Sequence, residues 1–579
     1  MSWHRSVAGP VLLVRMNETD PEVFMSLCVQ GKQMNFSRTK SDPLETVLKR
    51  MRLNVQKTLA PPQTAKRANQ DTKVPELPQI AFKDSDGNPL PECSLAEAVR
   101  LSHALSLNEL SYRLVLNPPR PLSLAVVTPI IKGCPVFVKA EVESGVLSDL
   151  AFDWICDSKI ISHAQHFVPD QVGVPLTLRL YNPEYPEFQM TSQPTESVIE
   201  DPSLLSISPV PQPTASTLRV CTWNILAQGY CSTNTALQVM YSHVHESLLS
   251  FGYRNALIFR DLKTFNGDLL LLQEITPTVV DVCLPVLQGE RTWGHPEPFH
   301  VTFANKDKST RPNGVATVSK KSKLSLVNER MLNLGGADLL SWFSLDEREA
   351  MGRSFGDHFM TVVIPNLSTV AVLSVFDRPA NSRLIVVNTH LFYHPLGGHI
   401  RLLQTIALTR AIEAELAAQQ DGALCDVIFG GDLNSLPGTA SLRYLSNGSV
   451  NAEDPDWGTG NFFKWGNSEE DEQDAEGVEQ EEHGLCDQPS KELPLPHISS
   501  VGFYASHSLK LTPTLIPSTT HRTNAFSGAL DWIFVSEGLS VKRRFEELAL
   551  LDSHGPLPNA SFGSDHVMVA AEIENSLLK

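Results

Sequence analysis

Apolar and polar positions along this chain fall into distinct textures. Over residues 10–58, short apolar runs ("VLLVRM", "VFMSLCV") alternate as strands do, and "DPLETVLKRMRL" has the spacing of an amphipathic helix opened by Asp42 and Pro43. Residues 59–90, rich in Pro, Gln, Lys and Thr, predict a loop. Over 121–188, "LSLAVVTP", "PVFVKAEVE" and "VPLTLRLYNP" alternate in the manner of antiparallel strands. The stretch 191–217 is proline-rich and aperiodic, the pattern of a linker. From Leu218 onward, apolar strands ("LRVCTWNILA", "GDLLLLQEI", "GVATVSK", "RLIVVNTHLF", "DVIFGGDLN", "ALDWIFVS", "HVMVAAEI") alternate with helical periods. One such period, 399–418, is expected to be amphipathic, with Ile400, Leu403, Ile406 and Ala407 on one face. The pattern predicts a β-rich N-terminal region (1–190, divisible into two small subdomains), a linker (191–217) and a large α/β domain with sheets at its core (218–579). There are no internal repeats.

Length agrees with this division, since 579 residues exceed what one core usually supports. A content of 42% hydrophobic and 19% charged residues is that of an ordinary globular protein. The net charge of −18 is mostly local. Between Glu453 and Glu482 twelve acidic residues stand against one Lys, a net of −11, which leaves −7 for the rest of the chain. This tract predicts a solvated, disordered insertion at about 467–483. The chain is not basic, so a protein that coats nucleic acid by charge alone is excluded, whereas a nuclease with a focused, metal-assisted cleft is not. Nine scattered cysteines without a C-x-x-C pair argue against a disulfide framework or structural zinc and for a reducing compartment. No apolar run approaches the roughly 20 residues that cross a bilayer, so no membrane association is expected. At the N-terminus, His4, Arg5 and Arg15 with no acid before Glu18 suit a short mitochondrial presequence, although "GPVLLVRM" also has the pattern of a first strand.

Candidate chemistry emerges where the strands of the α/β region end. Asn224 closes "TWN", Glu274 closes "LLLLQE", and Asn388 and His390 sit in "VVNTH". Asp432 and Asn434 follow in "GDLNSLPG", where period two points both side chains the same way, then Asp531 in "LDWIF" and Asp565–His566 in "SDHV". Singly, each has a bland explanation: Asp and Asn cap turns, a Glu pairs with a neighbouring cation, a His on an apolar strand is a satisfied core residue. Burying four carboxylates, amides and two histidines in one domain without a task would be costly. A hard cation such as Mg2+ wants carboxylate and amide oxygens. Phosphodiester cleavage needs a metal on the phosphate, an activated water and a stabilised leaving oxygen, with a His oriented by an Asp as base or charge stabiliser.

"WNILA", "LQE", "NTHLF", "GDLNSLPG", "LDWIF" and "SDHV", in that order, resemble the exonuclease–endonuclease–phosphatase superfamily. Within it, "NTHLFYHPLGGHIRLLQ" and "GDLNSLPGTASLRYLSNGSVNAEDPDW" are similar to the 2′,5′-phosphodiesterases, a mitochondrial branch beside the poly(A) deadenylases. The resemblance covers residues 218–579 and implies a four-layer α/β sandwich, two mixed sheets flanked by helices, preceded by the β-rich region. It implies a Mg2+-dependent 3′-exoribonuclease, with Mn2+ as an alternative ion, that degrades 2′,5′-oligoadenylate and the 3′,5′-poly(A) end of RNA to AMP in the mitochondrial matrix, the cytoplasm being the alternative. It specifies no protein partner.

Residue by residue, the resemblance makes Glu274 the principal metal ligand with Asn224 beside it and Asp565 near the metal. Asp432 would activate or orient the water and share the metal, and Asn434 would hold phosphate or metal. His390 would face the phosphate, and His566, steadied by Asp531, would be the second catalytic histidine. Gln228 stands where relatives usually carry Asp, and Thr276 where an acid is common. Loop residues Asn313 in "PNGVAT" and Asn524 to Phe526 in "TNAFSG" are candidates to hydrogen-bond or stack an adenine. Arg401 and Arg410 could approach phosphate. Two other readings stay open: a phosphoesterase of the same fold on a non-RNA substrate, and a non-catalytic RNA-bound adaptor.

Overall fold

The structure, a computed structural model, describes residues 10–59, 77–202, 217–234, 236–288, 298–306, 312–378, 382–418, 424–461, 463, 502–545 and 555–575. The acidic tract at 467–483 lies outside these residues. The chain forms two compact units. One comprises Met1–Val126, Val138–Gln165 and Leu176–Pro194; the other comprises Val127–Phe137, His166–Pro175 and Thr195–Lys579.

In the first unit, a six-stranded sheet runs in the order 32–39, 22–29, 11–15, 110–116, 104–107, 80–83. Alternate residues of its strands (Leu12, Val14, Val23, Met25, Leu105) pack on the helices Leu44–Leu59 and Leu95–Leu101 through Val47, Met51 and Val99. The second helix is started by a reciprocal Ser94–Glu97 capping box. Strand Ile80–Lys83 falls inside the stretch expected to be loop. Its four residues are too few for a period to stand out among Pro, Gln and Lys, and only burial of Ile80 and Phe82 against the helices makes it a strand. A four-stranded sheet (159–162, 151–156, 177–181, 189–191) follows.

The second unit is a four-layer α/β sandwich. Its first sheet contains β1 (Thr217–Asn224), β2 (Leu269–Ile275), β3 (Phe299–Asn305) and β4 (Gly314–Lys320). The second contains β5 (Ser325–Asn333), β6 (Val370–Arg378), β7 (Ser382–His390), β8 (Leu424–Asp432), β9 (Leu511–Pro513) and β10 (Asp531–Ser536). β11 (Leu539–Arg544) and β12 (Val569–Asn575) return to the first, giving the orders β3-β4-β2-β1-β12-β11 and β5-β6-β7-β8-β10-β9. Only β1/β2 and β7/β8 are parallel pairs within these sheets. Between the sheets lie Val220, Leu269, Leu271, Val386, Ile428, Ile533 and Val569, while the alternate residues Cys221, Leu270, Leu272 and Phe429 face the outer helices. Burial on both faces is why these strands read as continuous apolar runs.

The outer layers are α1 (Phe251–Phe265) on one side and α2 (Leu345–His358), α3 (Gly398–Ala418) and α4 (Ala440–Asn447) on the other. α3 corrects the amphipathic expectation: its buried residues run unbroken from Gly398 to Thr409, because it lies under other elements as well as on the sheet. Arg401, on its first turn, is buried and donates to the carbonyls of Phe392, His394 and Pro395; Arg410 is paired with Glu347. Both arginines therefore serve the fold.

Candidate active site

The polar strand ends meet at one edge of the two packed sheets. In β1/β2, Asn224 pairs with Gln273 in register, and the ladder from β2 to β4 slips between Gln273 and Ile275. Glu274 is the extra residue of this bulge and has φ 57°. A bulge turns one side chain out of the regular alternation, and here it brings the carboxylate to Asn224. The amide Nδ2 of Asn224 donates to Glu274 Oε1 at 2.8 Å and to Asp432 Oδ2 at 3.0 Å, so one amide ties the two sheets together. Glu274 Oε2 accepts the Ala227 amide at 2.7 Å.

On the opposing sheet, Asp432 ends β8 in register with His390 at the end of β7 and Asp531 at the start of β10. Gly431 has φ 145°, and a Cβ there would lie 1.9 Å from the Thr389 carbonyl oxygen, so only glycine lets β8 approach β7 just before the acid. Asp432 Oδ1 accepts the Asn434 amide at 3.0 Å, and Asn434, itself at φ 46°, donates its side-chain amide to Leu391 O. His566 Nδ1 donates to Asp531 Oδ2 at 2.8 Å, and Thr520 Oγ1 donates to the same oxygen at 2.6 Å. The other ring nitrogen, Nε2, faces Asp432 Oδ2 at 3.8 Å, and His390 Nε2 lies 3.5 Å from that oxygen.

Asn224, Glu274, His390, Asp432, Asn434, Asp531, Asp565 and His566 are thus brought together. Asn388 is not part of this edge. It is buried between the sheets, where it accepts Gln273 Nε2 at 2.8 Å and donates to Ala316 O at 3.0 Å, a cross-sheet tie. Asn313 precedes Gly314, which pairs with Ile275; it is buried and donates to Tyr230 Oη at 3.0 Å. Asn524 is exposed and donates to Ser242 Oγ. Phe526 is half-buried, its ring 5.5 Å from that of His521. Gln228 bonds Leu249 O and accepts from Arg254, and Thr276 accepts the Val279 amide, so both departures serve their own loops.

Four contributors escaped the sequence reading. Tyr241 Oη donates to Asp565 Oδ2 at 2.7 Å, and His521 Nε2 stands 3.3 Å from the same oxygen. Buried Arg254, on α1, donates to the carbonyls of Ile225, Leu226 and Gly563, pinning the chain just after Asn224 and just before Asp565. Lys306, half-buried just past β3, is held to Asn313 through its backbone amide, and its charge bears on Glu274, Asp432 and His390. None of them closes a strand motif, so no local period marks them.

The electrostatics follow from burial. Burial, then the nearby Asp565, raises Glu274 above the usual carboxylate range; burial, then Asp531, raises Asp432. Burial opposes charge on His566, but Asp531, Asp432 and Asp565 around it outweigh this and raise its pKa. Burial also disfavours an ionised Asp565, yet His521, His566 and Tyr241 hold it well below the usual range. Burial, then the charge of Lys306, keeps His390 neutral. Two buried carboxylates, Glu274 and Asp432, share one neutral amide, and Asp531 Oδ1 and His390 Nδ1 are buried without a hydrogen-bond partner among the described residues. The carboxylate and amide oxygens gathered here fit a hard divalent cation, which Glu274, Asp432 and Asp565 would hold with the amides of Asn224 and Asn434.

The chain is similar to several known proteins. The human 2',5'-phosphodiesterase 12 is 24% identical over 643 aligned residues, covering 97% of this chain and 93% of that protein. The CCR4-Not complex 3'-5'-exoribonuclease subunit Ccr4 of Mycosarcoma maydis is 23% identical over 391 residues, 62% of this chain and 50% of its own. Human protein angel homolog 2 is 28% identical over 235 residues, 40% of this chain and 38% of its own. The sequence profile of the Endonuclease/Exonuclease/phosphatase family matches residues 221–566, from the strand bearing Asn224 to His566, and the chain belongs to that family.

Proposed function

We propose that this chain is a divalent-metal-dependent phosphodiesterase that shortens 2′,5′-oligoadenylate and the 3′ poly(A) end of RNA to AMP. The observation that carries the reading is the convergence of Glu274, Asn224 and Asp432 from two sheets onto one point, beside an Asp531–His566 pair. The similarity to a 2',5'-phosphodiesterase along nearly the whole chain supports the oligoadenylate substrate, and the similarity to a 3'-5'-exoribonuclease supports the polarity. Mg2+ or Mn2+ bound by Glu274, Asp432 and Asp565 would polarise the scissile phosphate.

The chain's own groups divide the remaining work. Asp432, with its basicity raised by burial, orients the attacking water and takes its proton. His566, held cationic by its carboxylates, stabilises charge growing on the phosphate oxygens, and Asp531 fixes its ring. Asn434 and His390 line the phosphate side. Phe526 and Asn524 offer a stacking face and an amide at the rim for adenine. The test is incubation of the full chain with 2′,5′- and 3′,5′-triadenylate, with Mg2+ and with EDTA. The expected outcome is stepwise release of AMP with Mg2+ and none with EDTA. Turnover unaffected by EDTA, or no turnover of either trimer, would overturn the reading.

A further inference from the structure

Asp565 is held asymmetrically. Its Oδ2 accepts Tyr241 Oη at 2.7 Å and meets His521 Nε2 at 3.3 Å, while its Oδ1 has, among the described residues, a single long contact, 3.5 Å from Ser564 Oγ. Among the described residues, one oxygen is doubly engaged and the other has only that long contact. His521 is only 8% exposed, and its Nδ1 has no hydrogen-bond partner among the described residues. The tautomer with the proton on Nε2 therefore satisfies the pair, because the carboxylate can only accept.

His521 is itself rigidly placed. It forms a backbone bridge opposite His566; on one side Arg522 N donates to Asp565 O at 3.0 Å, and on the other Val567 N donates to Thr520 O at 2.8 Å. The hydroxyl of Thr520 holds Asp531, and the ring of His521 lies 4.6 Å from that of His566 and 5.5 Å from Phe526. The chain from Thr519 to Phe526 thus runs from the support of Asp531, through the support of Asp565, into the candidate adenine loop. An ordinary core histidine would need no carboxylate at its Nε2 and no pairing with the catalytic segment.

The geometry points to His521 as a positioning residue that, together with Tyr241, locks the Asp565 carboxylate through Oδ2 so that Oδ1 is presented to the divalent cation. This rests on the reading of Asp565 as a metal ligand. Partners that orient a ligand typically carry about 10–100-fold in metal affinity, and His521 supplies one of the two donors.

The experiment is Mn2+ binding to the full chain without RNA, followed by electron paramagnetic resonance of free Mn2+, for wild type, His521→Phe, His521→Gln, Glu274→Ala and Asp565→Asn. Phe keeps a ring of similar volume without the donor; Gln keeps a donor. H521F is expected to bind Mn2+ about tenfold more weakly and to need correspondingly more Mg2+ for half-maximal cleavage of oligo(A), whereas H521Q stays within about threefold of wild type. Wild-type affinity in H521F, equal losses in H521F and H521Q, or an H521Q that does not fold would overturn the assignment. If E274A and D565N bind Mn2+ as wild type does, the metal reading of the site has failed and the assignment falls with it, an outcome distinct from failure at His521 alone.

Discussion

Glu274, Asn434 and Leu226 all adopt positive φ, and all three lie at or beside the acid–amide–histidine cluster. Non-glycine residues held in this region cost of order 1–3 kcal/mol each, and here the strain aims Glu274 and Asn434 into the cluster. The carboxylates are buried against one another, so removing one relieves charge rather than packing. Glu274→Ala or Asp432→Ala is accordingly expected to lower turnover by about a thousandfold or more with the melting temperature kept or raised. Retention of more than a tenth of wild-type activity would remove that residue from the site. Lys306 supplies positive charge that acts on the same cluster. Its Nζ makes no hydrogen bond or ion pair among the described residues, and burial lowers its pKa while Glu274 and Asp432 oppose that shift. Lys306→Met is expected to raise KM for oligo(A) about tenfold and to change kcat less, the signature of lost ground-state phosphate binding; an unchanged KM would show that the lysine does not meet the substrate. Asn224, Glu274, Asp432 and His566 were legible in the sequence because each interrupts an apolar strand with a polar residue in a fixed motif. Tyr241, His521, Arg254 and Lys306 were not, because they reach the cluster through loops and a helix whose approach only tertiary packing decides.

Elements place these groups through features that local pattern conveys unevenly. The strands of both sheets announced themselves by continuous apolar runs, but the bulge at Glu274 is invisible in "LLLLQEI", since one extra residue leaves no compositional trace. Gly430 and Gly431 lie inside β8, where a Cβ on Gly430 would lie 2.8 Å from Leu271 Cδ1 of the facing sheet, a close approach that the sequence pattern does not announce. α3 shows how burial hides period: with nearly every position covered, its polar residues are internal ties rather than a solvent face. His399 on its first turn is one such tie, fully buried among Phe355, Phe359 and Phe463, with Nδ1 3.0 Å from Thr459 Oγ1. Burial, then Arg401 and His394, pushes its pKa down to about 3. Because the folded value lies below the unfolded one, the unfolded chain binds the extra proton first. Stability is then complete above the ordinary histidine range near 6.5 and falls as pH drops toward 3, by up to about 1.4 kcal/mol per pH unit from this group. Urea titrations of wild type and His399→Phe between pH 7 and pH 4 check this. Wild type should lose stability more steeply, and parallel curves would mean that His399 is not buried neutral.

Across the whole molecule, the site exists only where the two sheets meet. The first contributes Asn224 and Glu274, the second His390, Asp432 and Asp531, and the segment returning to the first brings Asp565 and His566. Gln273 and Asn388 lock the sheets together beneath the site, so the spacing of the reacting groups is a property of the sandwich and not of any loop. That division of labour bears on substrate choice. Groups gathered around one phosphate act on phosphorus and are indifferent to whether the leaving oxygen is 2′ or 3′, so discrimination must come from what holds the base and ribose. The candidates, Asn524 and Phe526, sit on the loop that adjoins His566 through His521, beside the reacting centre rather than remote from it. The chain carries a net charge of −18, so nonspecific attraction to the RNA backbone adds little to this discrimination. Adenine identity is therefore expected to matter more than linkage: both 2′,5′- and 3′,5′-oligoadenylate should be shortened from the 3′ end to AMP, with oligo(U) and oligo(C) much slower. Phe526→Ala should compress the preference for oligo(A) over oligo(U) toward parity while leaving metal dependence unchanged, since base stacking carries about 1–3 kcal/mol per base. Time courses resolved by product length decide the matter. Equal wild-type rates on oligo(A) and oligo(U), or cleavage confined to internal bonds, would rule out a base-reading loop beside a 3′-end site.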